Sequence, residues 1–315
     1  MELSYKDCNA MKGLAVIFIF INNFCHLLPN IPLSMVTIFS FWMYHGVVIF
    51  VFLTDYGLVN KYKVLSSNSF YGYLKVHYIE LLKFLLPALL LYLCISPFFY
   101  GWFNGINIIS LVCQLIYVNN LIPTMYSPIV PGVYLYFELT MQLYFIFYFV
   151  NGRLRRLLLG SVTCILFSFF SYSHYMMISW IKCNFVGNAL PFVGGILLAI
   201  FEILVDVEKN VFLYMFLEVC SHALLILAEY SFYIWLFISI PVICFVFFIV
   251  NLFSGMIRHD LTFIGSISHT FFVIHPTTRY FVRYFQMKND WSWQVGALYV
   301  LLTLSLSHLF LMYDF

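Results

Sequence analysis

Two histidines within apolar stretches of the chain have side chains suited to acid–base chemistry. His26 ends the segment INNFCH, and His275 stands directly before Pro276. A neutral imidazole accepts a proton near physiological pH, so such a histidine can act as the general base that activates a hydroxyl. The alternative for both is a buried histidine that makes only structural hydrogen bonds. Arg279 follows His275 by four residues, which places the two side chains on one face of a helix.

Four more ionisable side chains in apolar stretches form two spaced pairs. Glu80 and Lys83 are three residues apart, and Glu218 and His222 are four apart. Ionisable groups inside a membrane are costly and commonly functional, but partners one helical turn apart can also neutralise each other. For both pairs the sequence leaves a functional site and a structural pair equally open.

The elements that must position these side chains are long apolar segments. Hydrophobic residues make up 63% of the 315 positions and charged residues only 9%, too few to cover the surface of a soluble protein of this size. The apolar segments are solid and about 17–25 residues long, the length at which a helix crosses a bilayer. Strands of a membrane barrel would instead be short and alternating. We therefore predict an all-α integral membrane protein, with about ten transmembrane helices in a single domain over residues 1–315.

The predicted spans follow the apolar segments along the chain, with one longer connection at Gly101–Gly132. Because the apolar middle of that connection is short for a full span, we expect it to lie at the membrane interface or to re-enter. The ten spans are Gly13–Leu28, Leu33–Thr54, His77–Phe99, Val133–Val150, Leu157–Tyr172, Ala189–Asp206, Val211–Leu227, Phe232–Phe253, Leu261–Phe285 and Val295–Phe315.

Lysines and arginines are distributed unevenly between the two ends of these spans. With the N-terminus inside, ten of the fourteen basic residues near span ends fall on the inner side, and Asn151–Arg156 is the densest group. The positive-inside rule then predicts that both termini are cytoplasmic. A net charge of +2 gives no basic surface of the kind that nucleic-acid binding requires.

The eight cysteines lie mostly inside apolar segments. Their spacing matches neither the C-x-x-C pattern of metal sites nor a secreted disulfide framework. We expect free thiols that pack as small apolar side chains, with no structural disulfide and no bound metal.

Five segments follow one another in the order of the motifs of a known membrane-enzyme family. Lys12 opens an apolar helix that ends in INNFCH, and GVVIFVFLTDYGL lies in the second span. The segments YLYFELTMQLYFIFY, LPFVGGILLA and LTFIGSISHTFFVIHP come later. Together they resemble the integral-membrane acyltransferase-3 family, the O-acyltransferases of bacterial surface polysaccharides. The resemblance runs from Lys12 to Arg279.

This resemblance implies a membrane O-acyltransferase that is a multi-pass protein of the inner (cytoplasmic) membrane. Acyl-CoA, usually acetyl-CoA, would be the donor on the cytoplasmic side, and the acceptor would be a hydroxyl of a cell-surface glycan or lipid-linked sugar facing outward. Membrane lipids would surround the protein. The implied site residues are His26 and His275 as catalytic groups, Lys12, Lys75 and Lys83 as donor-binding groups on the CoA phosphates, and Asn23, Gln142, Tyr144, Ser268 and Arg279 as cavity-lining groups.

The first helix departs from the family pattern. The family has a histidine at the position that Asn23 occupies here, and His26 lies one helical turn further along. At about 100° per residue, Asn23 and His26 both remain on the face of the helix that carries Lys12. His26 can therefore serve as the base at a shifted depth.

Two other departures lie in the second and fourth spans. Thr54 and Asp55 replace the family's serine–glycine turn, and Leu135 replaces a tryptophan. The alternatives to an active enzyme are a catalytically degenerate family member and a non-enzymatic membrane protein of surface-glycan export or assembly. A transporter is less favoured, because the chain lacks the paired helix interruptions of inverted repeats.

Overall fold

The computed structural model describes most of the predicted helical regions. The described residues are 3–25, 27, 33–62, 69–100, 108–122, 135–149, 184–201, 238–253, 255–288 and 293–312, with six isolated positions between 212 and 223. All regular structure within these ranges is helical, as predicted. The ten α-helices are α1 (Tyr5–Cys25), α2 (Leu33–Lys61), α3 (Phe70–Tyr100), α4 (Ile108–Leu115), α5 (Leu135–Phe149), α6 (Ala189–Phe201), α7 (Ser239–Leu252), α8 (Met256–Ser266), α9 (Ser268–Lys288) and α10 (Trp293–Met312), and one 3-10 turn spans Asn119–Leu121.

Three of the described helices are long and apolar enough to cross a membrane. They are α1, the Met43–Lys61 part of α2 and the Phe70–Cys94 part of α3, and α7 and α10 contain shorter apolar segments. The outer face of α3 exposes large apolar side chains, including Val76 and Leu90. Exposed apolar surface of this kind is suited to lipid contact. These three helices support the prediction of a membrane protein by their length and composition, and the number of spans and the side of the termini stay predictions.

The first helix begins earlier than the predicted span, at Tyr5 instead of Gly13. Ser4 and Asp7 form a reciprocal cap, in which the Ser4 hydroxyl accepts the Asp7 N–H at 3.2 Å and the Asp7 carboxylate accepts the Ser4 N–H at 3.1 Å. This capping box satisfies backbone N–H groups that a helix start otherwise leaves unpaired. The start of α1 is therefore set by capping, and apolar character begins only later.

Helix α1 lies in close contact with α2, α8 and α9. Gly13 faces the carbonyl oxygen of Leu261, and Gly265 faces that of Asn9, so closely that a Cβ at either glycine would overlap the opposing oxygen. An ion pair between Asp7 and Arg258 fastens the N-terminal end of α1 to α8. The backbones of α1 and α8 thus touch directly, which fixes α9 relative to α1.

The predicted ninth span, Leu261–Phe285, is not one helix. The chain bends at Ile267, which has φ −94° and ψ 8°, and this residue separates α8 from α9. The Ser266 hydroxyl donates to the Phe263 carbonyl at 2.7 Å, and such local bonds compete with the regular helix ladder. The expectation of one continuous helix is wrong at this point.

Buried polar side chains hold α5 against the turn that follows α4. Glu138 accepts the Asn120 backbone N–H at 2.6 Å. Gln142 donates to the Asn120 side-chain oxygen and accepts the Phe185 N–H at 3.3 Å. One helix of this bundle is therefore fixed by hydrogen bonds to two separate turns, in addition to its apolar contacts.

Candidate functional site

Asn23 is the centre of a buried polar cluster between α1 and α9. Arg279 donates from Nη1 to Asn23 Oδ1 at 2.7 Å, and His275 Nε2 lies 3.5 Å from Asn23 Nδ2. Asn23 Nδ2 also donates to the Ile19 carbonyl at 2.8 Å. Because guanidinium groups only donate, Arg279 fixes which end of the Asn23 amide is the oxygen. We call Asn23, His275 and Arg279 the Asn23 site.

The imidazole of His275 is fully buried and has a defined hydrogen-bond arrangement. Its Nδ1 lies 3.1 Å from the carbonyl oxygen of Phe271, which can only accept, so in the neutral ring Nδ1 carries the proton. The unprotonated Nε2 then faces the Asn23 amide. The Asn23 site therefore contains a histidine nitrogen with a lone pair available to accept a proton.

Pro276 interrupts the backbone hydrogen bonds of α9 directly after His275. Proline has no N–H, so the carbonyl of Phe272, four residues earlier, lacks its usual helical donor. The His275 ring interacts with this carbonyl as well as with that of Phe271. Thr278 donates its hydroxyl to the His275 carbonyl at 3.0 Å. The side chains around Pro276 thus compensate for the interrupted ladder and fix the imidazole.

Aromatic and hydroxyl side chains from α10 complete the surroundings. Tyr299 stacks on Phe20 at a ring distance of 4.8 Å, and it is close enough to Arg279 for an electrostatic interaction. Its buried hydroxyl has no hydrogen-bond partner within the described part of the chain. Thr278 and Thr303 share a 2.7 Å hydrogen bond that fastens α9 to α10. Sequence reasoning missed Tyr299, since nothing in its local sequence separates it from the other 23 tyrosines.

The Asn23 site combines a proton acceptor with two kinds of hydrogen-bond donor. His275 Nε2 can take a proton from a hydroxyl, while the Arg279 guanidinium and the Asn23 amide can donate to a developing oxyanion. Preorganised donors in a water-poor site stabilise such charge more than they would in water. The site lies near the C-terminal end of α1, about 24 Å along the helix from Asp7.

The structure brings together three of the residues predicted for the site, Asn23, His275 and Arg279. His26 lies outside the described residues. Ser268 is fully buried at the start of α9, and its hydroxyl has no partner among the described residues. It is about two helical turns, or about 10 Å, from His275 along the same helix.

Two predicted cavity residues make contacts elsewhere. Gln142 is bonded to the turn at Asn120, as described above. Tyr144 packs its ring against His77, with 4.2 Å between ring centroids. Neither residue is brought to Asn23 by the contacts it makes. Their proposed lining of a common cavity therefore stays a prediction.

The predicted donor-binding lysines lie on different helices. Lys12 is half-buried on α1, about 16 Å along the helix from Asn23, and it interacts electrostatically with His269. Lys75 and Lys83 are exposed on α3, a helix that packs mainly on α5 and α9. Lys12 therefore lies away from Asn23, and the roles of the three lysines in donor binding stay predictions.

The predicted pairing of Glu80 with Lys83 is replaced by another arrangement. Glu80 Oε2 lies 3.0 Å from His77 Nδ1, and Glu80 Oε1 lies 3.6 Å from the Lys61 ammonium. His77 Nε2 lies 3.0 Å from the Tyr62 hydroxyl. Lys61, Tyr62, His77 and Glu80 form the His77 cluster, which sequence spacing within α3 alone did not indicate. Glu218 and His222 lie outside the described residues.

Comparison of the chain with family models, with curated proteins and with solved structures gives no significant match.

Within the described residues, no three histidine, cysteine or acidic side chains are grouped as metal ligands would be. Among the described cysteines, Cys8, Cys25, Cys94, Cys220 and Cys244 are free thiols.

Proposed function

We propose that this protein is a membrane O-acyltransferase that moves an acyl group, usually acetyl, from acyl-CoA to a hydroxyl of a cell-surface glycan or lipid-linked sugar. The observation that carries the proposal is the contact of the buried His275 and the half-buried Arg279 with Asn23, the residue at the position of the family's first-helix histidine. In this chain His275 supplies, from α9, the base that the first helix lacks at that depth.

The chemistry needs a base and an oxyanion stabiliser. His275 Nε2 removes the acceptor hydroxyl proton as the oxygen attacks the thioester carbonyl of the donor. Arg279 and the Asn23 amide donate to the carbonyl oxygen while it carries negative charge. The carbon–sulfur bond then breaks, the proton passes from His275 to the CoA sulfur, and the acylated sugar leaves.

The donor end of the protein lies at the other end of α1. CoA carries several phosphate charges, and lysine ammonium groups bind phosphate through charge-assisted hydrogen bonds. Lys12, Lys75 and Lys83 are the proposed contacts. The acceptor glycan approaches from the end near Asn23, which the proposed orientation places toward the outer side of the inner membrane.

Acyl analysis of the surface glycan from cells with and without the gene tests the proposal directly. We expect O-acyl groups on the glycan of wild-type cells and their loss on deletion, with restoration by the plasmid-borne gene. An unchanged acyl content with an altered amount or length of glycan would instead support the non-enzymatic export or assembly role. An unchanged glycan altogether would support a catalytically degenerate member.

Substituting Lys12 separates donor binding from chemistry. Lys12→Ala is expected to raise the acyl-CoA concentration needed for half-maximal rate by about tenfold, since one charge-assisted hydrogen bond contributes about 1.5 kcal/mol. The maximal rate should recover at saturating donor, because Lys12 lies too far along α1 to reach the reacting atoms. Initial rates across donor concentrations in reconstituted membranes measure this, with exposed Lys61→Ala as the control. A lowered maximal rate with an unchanged donor requirement would contradict the assignment.

A further inference from the structure

Asp55 is a fully buried carboxyl group in the apolar Met43–Lys61 part of α2. Neither of its oxygens has a hydrogen-bond partner among the described residues, and both are enclosed so tightly that no water molecule fits beside them. The residue lies about 9 Å along the helix from Lys61, where α2 ends. The proposed acyl-transfer chemistry does not use it.

The neighbours of Asp55 come from α3, α5 and α6. Tyr73 on α3 and Tyr136 and Tyr144 on α5 are close enough for electrostatic interaction with its carboxyl. The α6 backbone at Gly195 is packed so closely that a Cβ there would lie 3.2 Å from the Asp55 Cβ. None of these neighbours carries a positive charge.

Two further helices, α1 and α7, pack on α2. Helix α1 contributes Cys8 to the apolar cluster that contains Tyr56 and Tyr73. The charged Asp7 of α1 is paired with Arg258, and Lys12 interacts electrostatically with Cys8 and His269. The only titratable side chain of α7 is Cys244. The described surroundings of Asp55 are therefore thiols, phenols and apolar groups.

An ionised carboxylate cannot be maintained in such surroundings without compensation. Its desolvation costs several kcal/mol, which only a paired cation and hydrogen bonds can offset. A metal ion would need several oxygen ligands at about 2.3–2.6 Å, and neither Asp55 oxygen has even a hydrogen-bond partner among the described residues. A proton is the only cation small enough to fit.

We propose that Asp55 is a proton-binding site that is occupied at neutral pH. Its proton exchanges with solution at the end of the bundle where the His77 cluster lies. This inference is independent of acyl transfer. Release breaks the Asp55 O–H bond, leaves the electron pair on the carboxylate and hands the proton to a water molecule that enters from solution. Uptake is the reverse, and no other bond changes.

A chain of polar groups leads from solution toward Asp55. Glu80 is half-exposed and contacts His77, whose ring packs against Tyr144 and, with 4.6 Å between centroids, against Tyr73. The Tyr73 hydroxyl is buried and has no partner among the described residues. Proton transfer across the remaining distance, from the tyrosine hydroxyls to Asp55, requires water to enter.

Water can reach Asp55 only if the helices around it separate. At Gly195, α6 lies directly on the α2 backbone, near Phe52 and Tyr56 as well as Asp55. A deprotonated Asp55 favours hydration and therefore favours separation of α2 and α6, while protonation favours their contact. Proton occupancy of Asp55 thus sets the balance between a closed and an open α2–α6 contact.

Infrared spectroscopy of the full-length protein in lipid nanodiscs tests the occupancy. At neutral pH we expect the carbonyl absorption of a protonated carboxylic acid, which moves when the protein carries carbon-13 at its aspartate carboxyls. Asp55→Asn should remove this aspartate signal, and the matched exposed control Asp260→Asn should keep it. The isotope measurement uses the wild-type chain, so it decides the matter even where Asp55→Asn fails to fold. Absence of a protonated aspartate signal in the wild type overturns the proposal.

The pH dependence of unfolding in mixed micelles gives an independent readout. Between about pH 6 and 8 an unfolded aspartate is ionised, while the folded chain keeps the Asp55 proton, so the wild type releases one proton on unfolding. Its unfolding constant, relative to that of Asp55→Asn at the same pH, should therefore rise about tenfold per pH unit. Asp260→Asn should follow the wild type. A pH-independent ratio of the two constants overturns the proposal.

Discussion

Replacing His275 by glutamine is expected to lower the rate of acyl transfer by a factor of about 10²–10⁴, the usual contribution of a general base. Glutamine retains an N–H that can donate to the Phe271 carbonyl, as His275 Nδ1 does, but it cannot take a proton from a hydroxyl. The variant should therefore fold and melt close to the wild type while losing activity. His275→Ala should lose activity and also stability, because it leaves the carbonyls around Pro276 without a side-chain donor.

The measurement is the initial rate of acyl transfer at saturating acyl-CoA, together with the thermal melting midpoint of each variant. His259→Ala is the matched control, since His259 is strongly exposed on α8. A His275→Gln enzyme with full activity would contradict the role of His275 as the base.

His26→Ala, measured in the same way, separates the two histidines predicted from the sequence. We expect loss of activity in His275→Gln and retention in His26→Ala if His275 is the base. The reverse result would assign the base to His26, one turn beyond Asn23. Full activity in both variants would exclude both histidines as the base and contradict the assignment of the Asn23 site.

The helical class of the fold could be predicted from the sequence because it depends on composition and segment length. The predicted span Val133–Val150 differs from α5, Leu135–Phe149, by only a residue or two at each end. Hydropathy alone could not find the start of α1 or the bend at Ile267. Local hydrogen bonds of the Ser4 and Ser266 hydroxyls accompany these two features, and such bonds leave the apolar pattern unchanged.

The candidate site could be predicted only where residues are near in sequence or match a motif. His275 and Arg279 share a helix face by their spacing, and Asn23 was identified through the family pattern. Spacing also suggested the pairing of Glu80 with Lys83, but Glu80 contacts His77 on its own helix and Lys61 on another helix. Asp55 was noted only as a departure from a motif, because its lack of a partner depends on residues brought together by the packing of α3, α5 and α6.

Replacing Gly265 by alanine is expected to destabilise the fold by about 2 kcal/mol or more, the upper part of the range for overpacking. The added methyl group would overlap the carbonyl oxygen of Asn9, which belongs to the backbone of α1 and cannot move as a side chain does. The helices α1 and α8 must then separate, which also weakens the contact at Gly13. Equilibrium unfolding in mixed micelles measures the change in free energy.

Gly57→Ala is the matched control, because a Cβ at Gly57 would meet nothing within 4 Å. Alanine is favoured over glycine inside a helix by about 0.5–1 kcal/mol, so this control should be slightly more stable than the wild type. Both substitutions add one methyl group inside a helix. Because the expected changes in the free energy of unfolding have opposite signs, their difference isolates the cost of the steric overlap at Gly265. Since α8 leads directly into α9, Gly265→Ala should also shift His275 relative to Asn23 and lower the rate of acyl transfer, while Gly57→Ala should not. Equal stability of Gly265→Ala and Gly57→Ala would contradict the direct backbone contact between α1 and α8 on which the position of the Asn23 site depends.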